Sequence, residues 1–173
     1  ERSIRFIPYP GAGWADNPFL IESFCQAKAI MTFDEAFYHY RCDLPGATYN
    51  HKKDSAVALP FDRWCDMTDI LERLHVTDRG ILEAHYMRGF NYIHGGIVDD
   101  GWENPIVKDG TRRVFSRMDT EIVLGHPKLS PKRKRFYLEQ MGIAGRRVPV
   151  WPRVKYFASE TRFFVKSNGV RGL

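Results

Sequence analysis

Residues 104–125, NPIVKDGTRRVFSRMDTEIVLG, decide the fold class. Asn104 carries a side-chain oxygen that can accept from the free amides of a helix start, and Pro105 suits the first helical position, where a missing N–H is no loss. Ile106, Gly110, Val114, Met118 and Ile122 then recur at every fourth residue up to Gly125, the period of a helix with one face turned to a core. The spacing predicts a continuous helix, the cleanest in the chain.

The same grammar extends outward in both directions. Downstream, Ser130-Pro131 repeats the cap signature and opens a helix over Lys132 to Met141 that Gly142 stops. Upstream, Thr77 and Asp78 cap a helix with Leu82, Tyr86, Phe90 and Ile93 on one stripe, and Gly95-Gly96 reads as its end. Before it, Phe61, Trp64, Cys65, Thr68, Leu71 and Leu74 mark a one-sided helix starting at Phe61. Residues 46–59, with Asn50, His51, Lys52, Lys53 and Asp54, lack helical periodicity and read as a surface loop. Further upstream, Asn17 and Pro18 predict a helix start, with Phe19, Ile21, Phe24 and Ile30 along it. Thr32 and Glu35 form the pattern of a capping box for a short second helix ending near Tyr40, closed by Pro45-Gly46.

The ends differ from this middle. Prolines at 8 and 10 and glycines at 11 and 13 predict an extended N-terminal arm whose Phe6, Tyr9 and Trp14 anchor on another surface. Val148-Pro149-Val150-Trp151-Pro152 and the β-leaning Arg162-Phe163-Phe164-Val165-Lys166 predict a second extended arm, too interrupted for a sheet of its own. The expected architecture is mainly α: one domain over residues 1–173, a small helical core at 17–142 between an N-terminal arm at 1–16 and a C-terminal arm at 143–173.

The chain has 173 residues, 43% hydrophobic and 27% charged, enough to bury a core and unlike a disordered tail. Its uncharged stretches fall far short of the ~20 apolar residues of a membrane-spanning helix, so it reads as soluble or peripheral. The net charge of +5 hides a division: residues 1–100 hold ten basic and 15 acidic side chains, and residues 101–173 hold 16 basic and 6 acidic. An acidic front and a basic back predict that the C-terminal part meets RNA, anionic lipid headgroups or acidic protein. Cys25, Cys42 and Cys65 form no C-x-x-C pair, which predicts reduced, mostly buried thiols. The chain starts at Glu1 with no apolar signal sequence, as at a boundary or after removal of a targeting segment.

Catalytic and metal chemistry finds little footing. Gly11-Ala12-Gly13 and Gly95-Gly96 lack the context of a phosphate-binding loop. His39, His51, His85 and His94 lack metal-ligand spacing, and Asp99, Asp100 and Glu103 lack the alternating oxygens of a calcium loop and read as solvated loop residues or partners for the basic half. No nucleophile sits in a recognisable elbow. A hydrolase would need folding to unite Cys65 or another nucleophile with His85 or His94. No catalytic, cofactor-binding or metal-ligating residue, and no cofactor, is therefore expected. Lys132-Arg133-Lys134-Arg135 opposes the positive end of its own helix dipole unless something negative lies there. With Tyr137, Arg146, Arg147, Arg153 and Lys155 it could track phosphates and stack bases, or dock on acidic protein.

The order of features over residues 85–139 resembles subunit 7 of the cytochrome bc1 complex, the ubiquinol-cytochrome c reductase 14 kDa subunit. His85-Tyr86-Met87-Arg88-Gly89-Phe90-Asn91-Tyr92-Ile93-His94-Gly95-Gly96-Ile97-Val98-Asp99-Asp100 is similar to the Gly-aromatic, Leu-Gly-Leu, Asp-Asp stretch of that family. Glu103-Asn104-Pro105-Ile106 and Arg112-Arg113-Val114 resemble its Glu-Asn-Pro-Ile and Arg-Arg-Leu, Leu129-Ser130-Pro131-Lys132 its Leu-Leu-Pro-Arg/Lys, and Phe136-Tyr137-Leu138-Glu139 its Phe-Tyr-Leu-Glu. The stretch from Arg113 to Pro131 is shorter than the family's, and residues 1–80 and 143–173 have no counterpart. The resemblance implies a non-catalytic, supernumerary subunit of respiratory complex III in the mitochondrial electron-transport chain. It would lie peripherally on the matrix side of the inner membrane, beside cytochrome b and the core subunits, with anionic lipid headgroups as further neighbours and no small-molecule substrate. Two alternatives stay open: a mitochondrial ribosomal protein binding rRNA through its basic half, and an accessory subunit of another inner-membrane complex such as ATP synthase.

Overall fold

The computed structural model of the chain describes residues 4–9, 14–36, 38–39 and 54–168. Seven helices lie in them: α1 (Asp16–Gln26), α2 (Asp54–Arg73), α3 (Arg79–Asp100), α4 (Pro105–Ser116), α5 (Thr120–Gly125), α6 (Pro131–Gln140) and α7 (Trp151–Asn168). The fold is mainly α, as expected. Pro10 to Gly13, Tyr40, Cys42, Pro45-Gly46 and Asn50 to Lys53 lie outside the described residues.

Helix starts follow local chemistry closely. The side chains of Asp78, Asn104 and Ser130 accept from the amides of Ile81, Ile106 and Arg133 at the starts of α3, α4 and α6. α6 ends in a Schellman turn: Ile143 N–H donates to Leu138 O at 2.9 Å and Gly142 N–H to Glu139 O at 3.1 Å, with Gly142 left-handed at φ 65°. α2 ends in the same turn, with Val76 and His75 donating to Leu71 and Glu72, but the left-handed residue is His75, at φ 51°.

Other boundaries depart from the sequence reading. α1 begins at Asp16 behind Ala15 with no side-chain cap, so Pro18 is the third helical residue rather than the first. The first four amides of any helix lack an internal acceptor, so the proline fits there equally well. Ile30 is outside α1, and residues 32–36 are not helical, with a bend at Asp34-Glu35 in place of a capped helix. α2 reaches back to Asp54 through Pro60, converting the end of the expected loop into helix, with Val57 packed against the core. Gly95-Gly96 does not stop α3, which continues to Asp100 and ends at Gly101, at φ 84°. The expected 105–125 helix is two helices: Arg117 ends α4, and Asp119 caps α5 through Ile122 N–H. Two tyrosines satisfy the freed backbone at the break, Tyr86 Oη accepting from Asp119 N–H at 2.9 Å and Tyr137 O–H donating to Met118 O at 3.2 Å. The fourfold spacing survives because Met118 still points into the core.

The C-terminal arm also needs correction: residues 151–168 are α-helical, not extended. β-leaning residues such as Phe163, Phe164 and Val165 favour strand only when a sheet offers pairing, and the described residues contain none. Residues 4–9 of the N-terminal arm are neither helix nor strand and, with Trp14, fold back on their own bundle. Phe6 stacks on Phe19, Trp14 meets Tyr92 edge-on, and the Tyr9 hydroxyl donates to Asp66 at 2.7 Å beneath the Arg63 guanidinium.

The core gathers Phe61, Trp64 and Met67 from α2, Tyr86, Phe90 and Ile93 from α3, and Val107, Val114 and Phe115 from α4, closed by residues of α5 and α6. Glycines let these helices approach. A Cβ on Gly110 would lie 2.4 Å from the Phe61 ring, and one on Gly89 2.8 Å from the Trp64 indole nitrogen. Gly110→Ala is expected to lower stability by ~1–3 kcal/mol through overpacking, more than the helix-propensity gain of up to ~1 kcal/mol restores. Gly95→Ala, whose added methyl meets nothing within 4 Å, should raise stability by ~0.5–1 kcal/mol. Chemical denaturation of the two variants beside the parent checks both signs.

Candidate functional site

The residues a hydrolase would have to unite, Cys65 with His85 or His94, lie in different surroundings. His85 is buried in the α2–α3 interface, its ring stacked on Trp64 with centroids 4.4 Å apart and 8° between planes. Thr68 Oγ1 donates to Trp64 O at 2.9 Å, so its lone pair takes the His85 Nε2–H, also at 2.9 Å. Trp64 Nε1–H donates in turn to His85 O at 3.0 Å. The ring is thus the neutral Nε2–H tautomer, its buried Nδ1 having no hydrogen-bond partner. Burial, then the charges of Arg88 and Arg117, pushes its pKa down to about 3. His94 is on the exposed side of the same helix. Cys65 is half-buried rather than buried, and burial holds its thiol above the ordinary value despite the opposing pull of Arg113 and Arg117. Nothing in this geometry activates it as a nucleophile. Cys25 is likewise a half-buried free thiol.

His126, which the sequence reading passed over, is a second neutral histidine. Lys128 N–H donates to its Nδ1 at 3.1 Å, which leaves Nε2–H to donate to Glu83 O at 2.9 Å. Burial lowers its pKa. It holds the turn after α5 to the first part of α3.

Among the described residues, no group of His, Cys, Asp and Glu could hold a metal ion. Asp99 and Asp100 belong to the last turn of α3 rather than to a loop, and Glu103 pairs with Lys108 at 2.8 Å.

The charged surface is where the sequence reading and the structure meet most informatively. Two arginines of the basic back, Arg113 and Arg117, are matched by the acidic front of the same chain. Arg113 reaches Asp62 at 2.7 Å, and Arg117 forks between Asp69 at 2.6 Å and Glu72 at 2.7 Å, so α4 is riveted along the acidic face of α2. Arg146 pairs with Glu121.

The Lys132-Arg135 cluster is divided by its helix. Lys134 is fully buried, and its Nζ donates to Leu124 O at 2.6 Å, at the negative end of α5. Burial lowers its pKa. Arg133 donates to Asn91 Oδ1 at 3.1 Å. Only Lys132 and Arg135 are exposed. The acceptor demanded by this basic first turn is thus a backbone carbonyl of the chain itself.

Two apolar surfaces lie open. The non-helical segment 27–36 carries Ile30, Met31 and Phe33, with Tyr38 beyond it, and α7 carries Trp151, Val154, Phe157 and Phe163. Among the described residues, no helix is long and apolar enough to cross a membrane. Compared with protein-family models, with curated proteins and with solved structures, the chain finds no match in any of the three.

The histidine geometry sets an acid response. Folded His85 stays neutral to about pH 3, whereas an unfolded histidine takes up a proton below its ordinary value of 6.5. Between those values the unfolded chain binds more protons, so stability present above pH 6.5 is lost as pH falls, at up to ~1.4 kcal/mol per pH unit from this group. Thermal unfolding across that range should show a shallower slope in His85→Phe, which keeps a ring against Trp64.

Proposed function

We propose that this chain is a non-catalytic structural subunit of a larger protein assembly. The observation that carries the proposal is the segment 27–36 with Tyr38: Ile30, Met31, Phe33 and Tyr38 are 62–77% exposed on a backbone that is neither helix nor strand. Large apolar side chains on a backbone outside helix and strand suit a protein neighbour, which can offer both pockets and hydrogen-bond partners. A lipid phase offers no partners for such amides.

The assembly we propose is respiratory complex III, with the chain peripheral on the matrix side of the inner membrane beside cytochrome b and the core subunits. The support is the ordered resemblance over residues 85–139, which run from α3 to α6 and include the caps Asn104 and Ser130 and the core residues Tyr86, Phe90, Tyr137 and Leu138. The ribosomal alternative is weakened by the inward use of Lys134 and Arg133.

Affinity purification of the tagged chain in mild detergent tests both levels. Cytochrome b by mass spectrometry and b- and c-type haem absorbance in the fraction are the expected outcome. Ribosomal RNA in their place, or ATP synthase subunits without cytochrome b, overturns the assignment to complex III. Replacing Ile30, Met31 and Phe33 together by serine should abolish co-purification while leaving the thermal transition of the isolated chain unchanged, because none of the three belongs to the core.

A further inference from the structure

We infer that α7 lies flat on an anionic phospholipid surface. At about 3.6 residues per turn, Trp151, Val154, Phe157, Ala158, Phe164 and Val165 fall on one continuous face. Arg162, Lys155 and Lys166 line one edge of that face and Arg153 the other. The helix leans on the bundle elsewhere: Arg153 donates to Lys128 O at 2.9 Å, and the Lys128 ammonium sits 5.3 Å from the Tyr156 ring centroid. On this face Trp151 is 63%, Phe157 49% and Val154 46% exposed, with the Arg153 guanidinium 4.7 Å from the Phe157 ring centroid at its edge; Phe163, 70% exposed, lies off it.

Charge selects the occupant. α7 holds four basic residues and one acidic, Glu160, and Arg147 adds a further exposed positive charge four residues before it. A second copy packed face to face would oppose like charges, so self-association is disfavoured. RNA needs the cations at the centre of the contact, whereas the centre here is aliphatic and aromatic. A bilayer surface needs the observed order: apolar side chains sinking between headgroups and long basic side chains reaching sideways to the phosphates. The helix satisfies its own backbone and is not apolar enough to cross, so it rests in the interface. The inference stands on α7 alone and does not depend on which assembly holds the chain.

Flotation of the purified full-length chain with vesicles provides the test. Binding to equimolar phosphatidylglycerol and phosphatidylcholine, little binding to phosphatidylcholine alone, and release by added salt are expected. Tryptophan emission should shift to the blue and be quenched by acyl-brominated lipid; in a Trp14→Phe background, which removes the other exposed indole, both changes should vanish on adding Trp151→Phe, since Trp64 is buried and Trp102 packs against Phe136. Replacing Lys155, Arg162 and Lys166 by serine should weaken binding on the order of a hundredfold, about fivefold per charge. No vesicle binding, equal binding to neutral and anionic vesicles, or unquenched Trp151 overturns the inference, as does preference for an RNA oligonucleotide or a dimer that shields α7. If the triple variant misfolds, the salt response and lipid quenching of the parent chain still decide. Co-purifying proteins play no part in this readout, so its failure leaves the subunit proposal standing.

Discussion

Phe61 and Trp64, one turn apart on α2, need flat surfaces to lie on, and glycines on α3 and α4 provide them. The Phe61 ring occupies the space a Cβ would take at Gly110, and the Trp64 indole the space beside Gly89. With those contacts made, the positions of the three longest core-forming helices relative to one another are set. The rest follows from that placement. Arg113 and Arg117 come within reach of Asp62, Asp69 and Glu72, the His85 ring lies parallel to the indole, and Phe90 and Phe115 meet at 5.0 Å to start the aromatic cluster that Tyr137 and Phe136 extend.

The charge pattern changes meaning in this light. An acidic front and a basic back suggested an outside partner for the whole basic half. Folding brings α4 along α2, so part of that demand is met internally, by pairs that are partly solvent-exposed and individually worth ~0–1 kcal/mol. They favour the register of α4 on α2 more than they add stability. The positive charge left facing solvent is concentrated in α6 and α7, at Lys132, Arg135, Lys155, Arg162 and Lys166.

Features whose physics is local were legible in the sequence. A capping oxygen acts within three residues, so Asp78, Asn104 and Ser130 announced the starts of α3, α4 and α6, and Gly142 the end of α6. Features that depend on a neighbour were not. Gly96 looks like a stop because glycine weakens an isolated helix, but in the bundle it lies under Phe61, whose burial sustains the helix through it. The break at Arg117 is invisible in a pattern of core residues that never loses step, because it depends on Tyr86 and Tyr137 arriving from other helices. For the candidate site, the sequence singled out Cys65, His85, His94 and Lys132 to Arg135 but could not say which way they face. His126 carried no signal beyond its residue type.

The sequence by itself determined the helical class, the starts of α3, α4 and α6 and the excess of positive charge in the last third of the chain, since propensity, capping and composition act over a few residues. The tertiary structure alone decided that His85 is neutral and walled in, that Lys134 points inward to a carbonyl of α5, and that the last segment is a helix with its apolar face outward. Burial and partner geometry are properties of how elements meet, and no stretch of residues carries them alone.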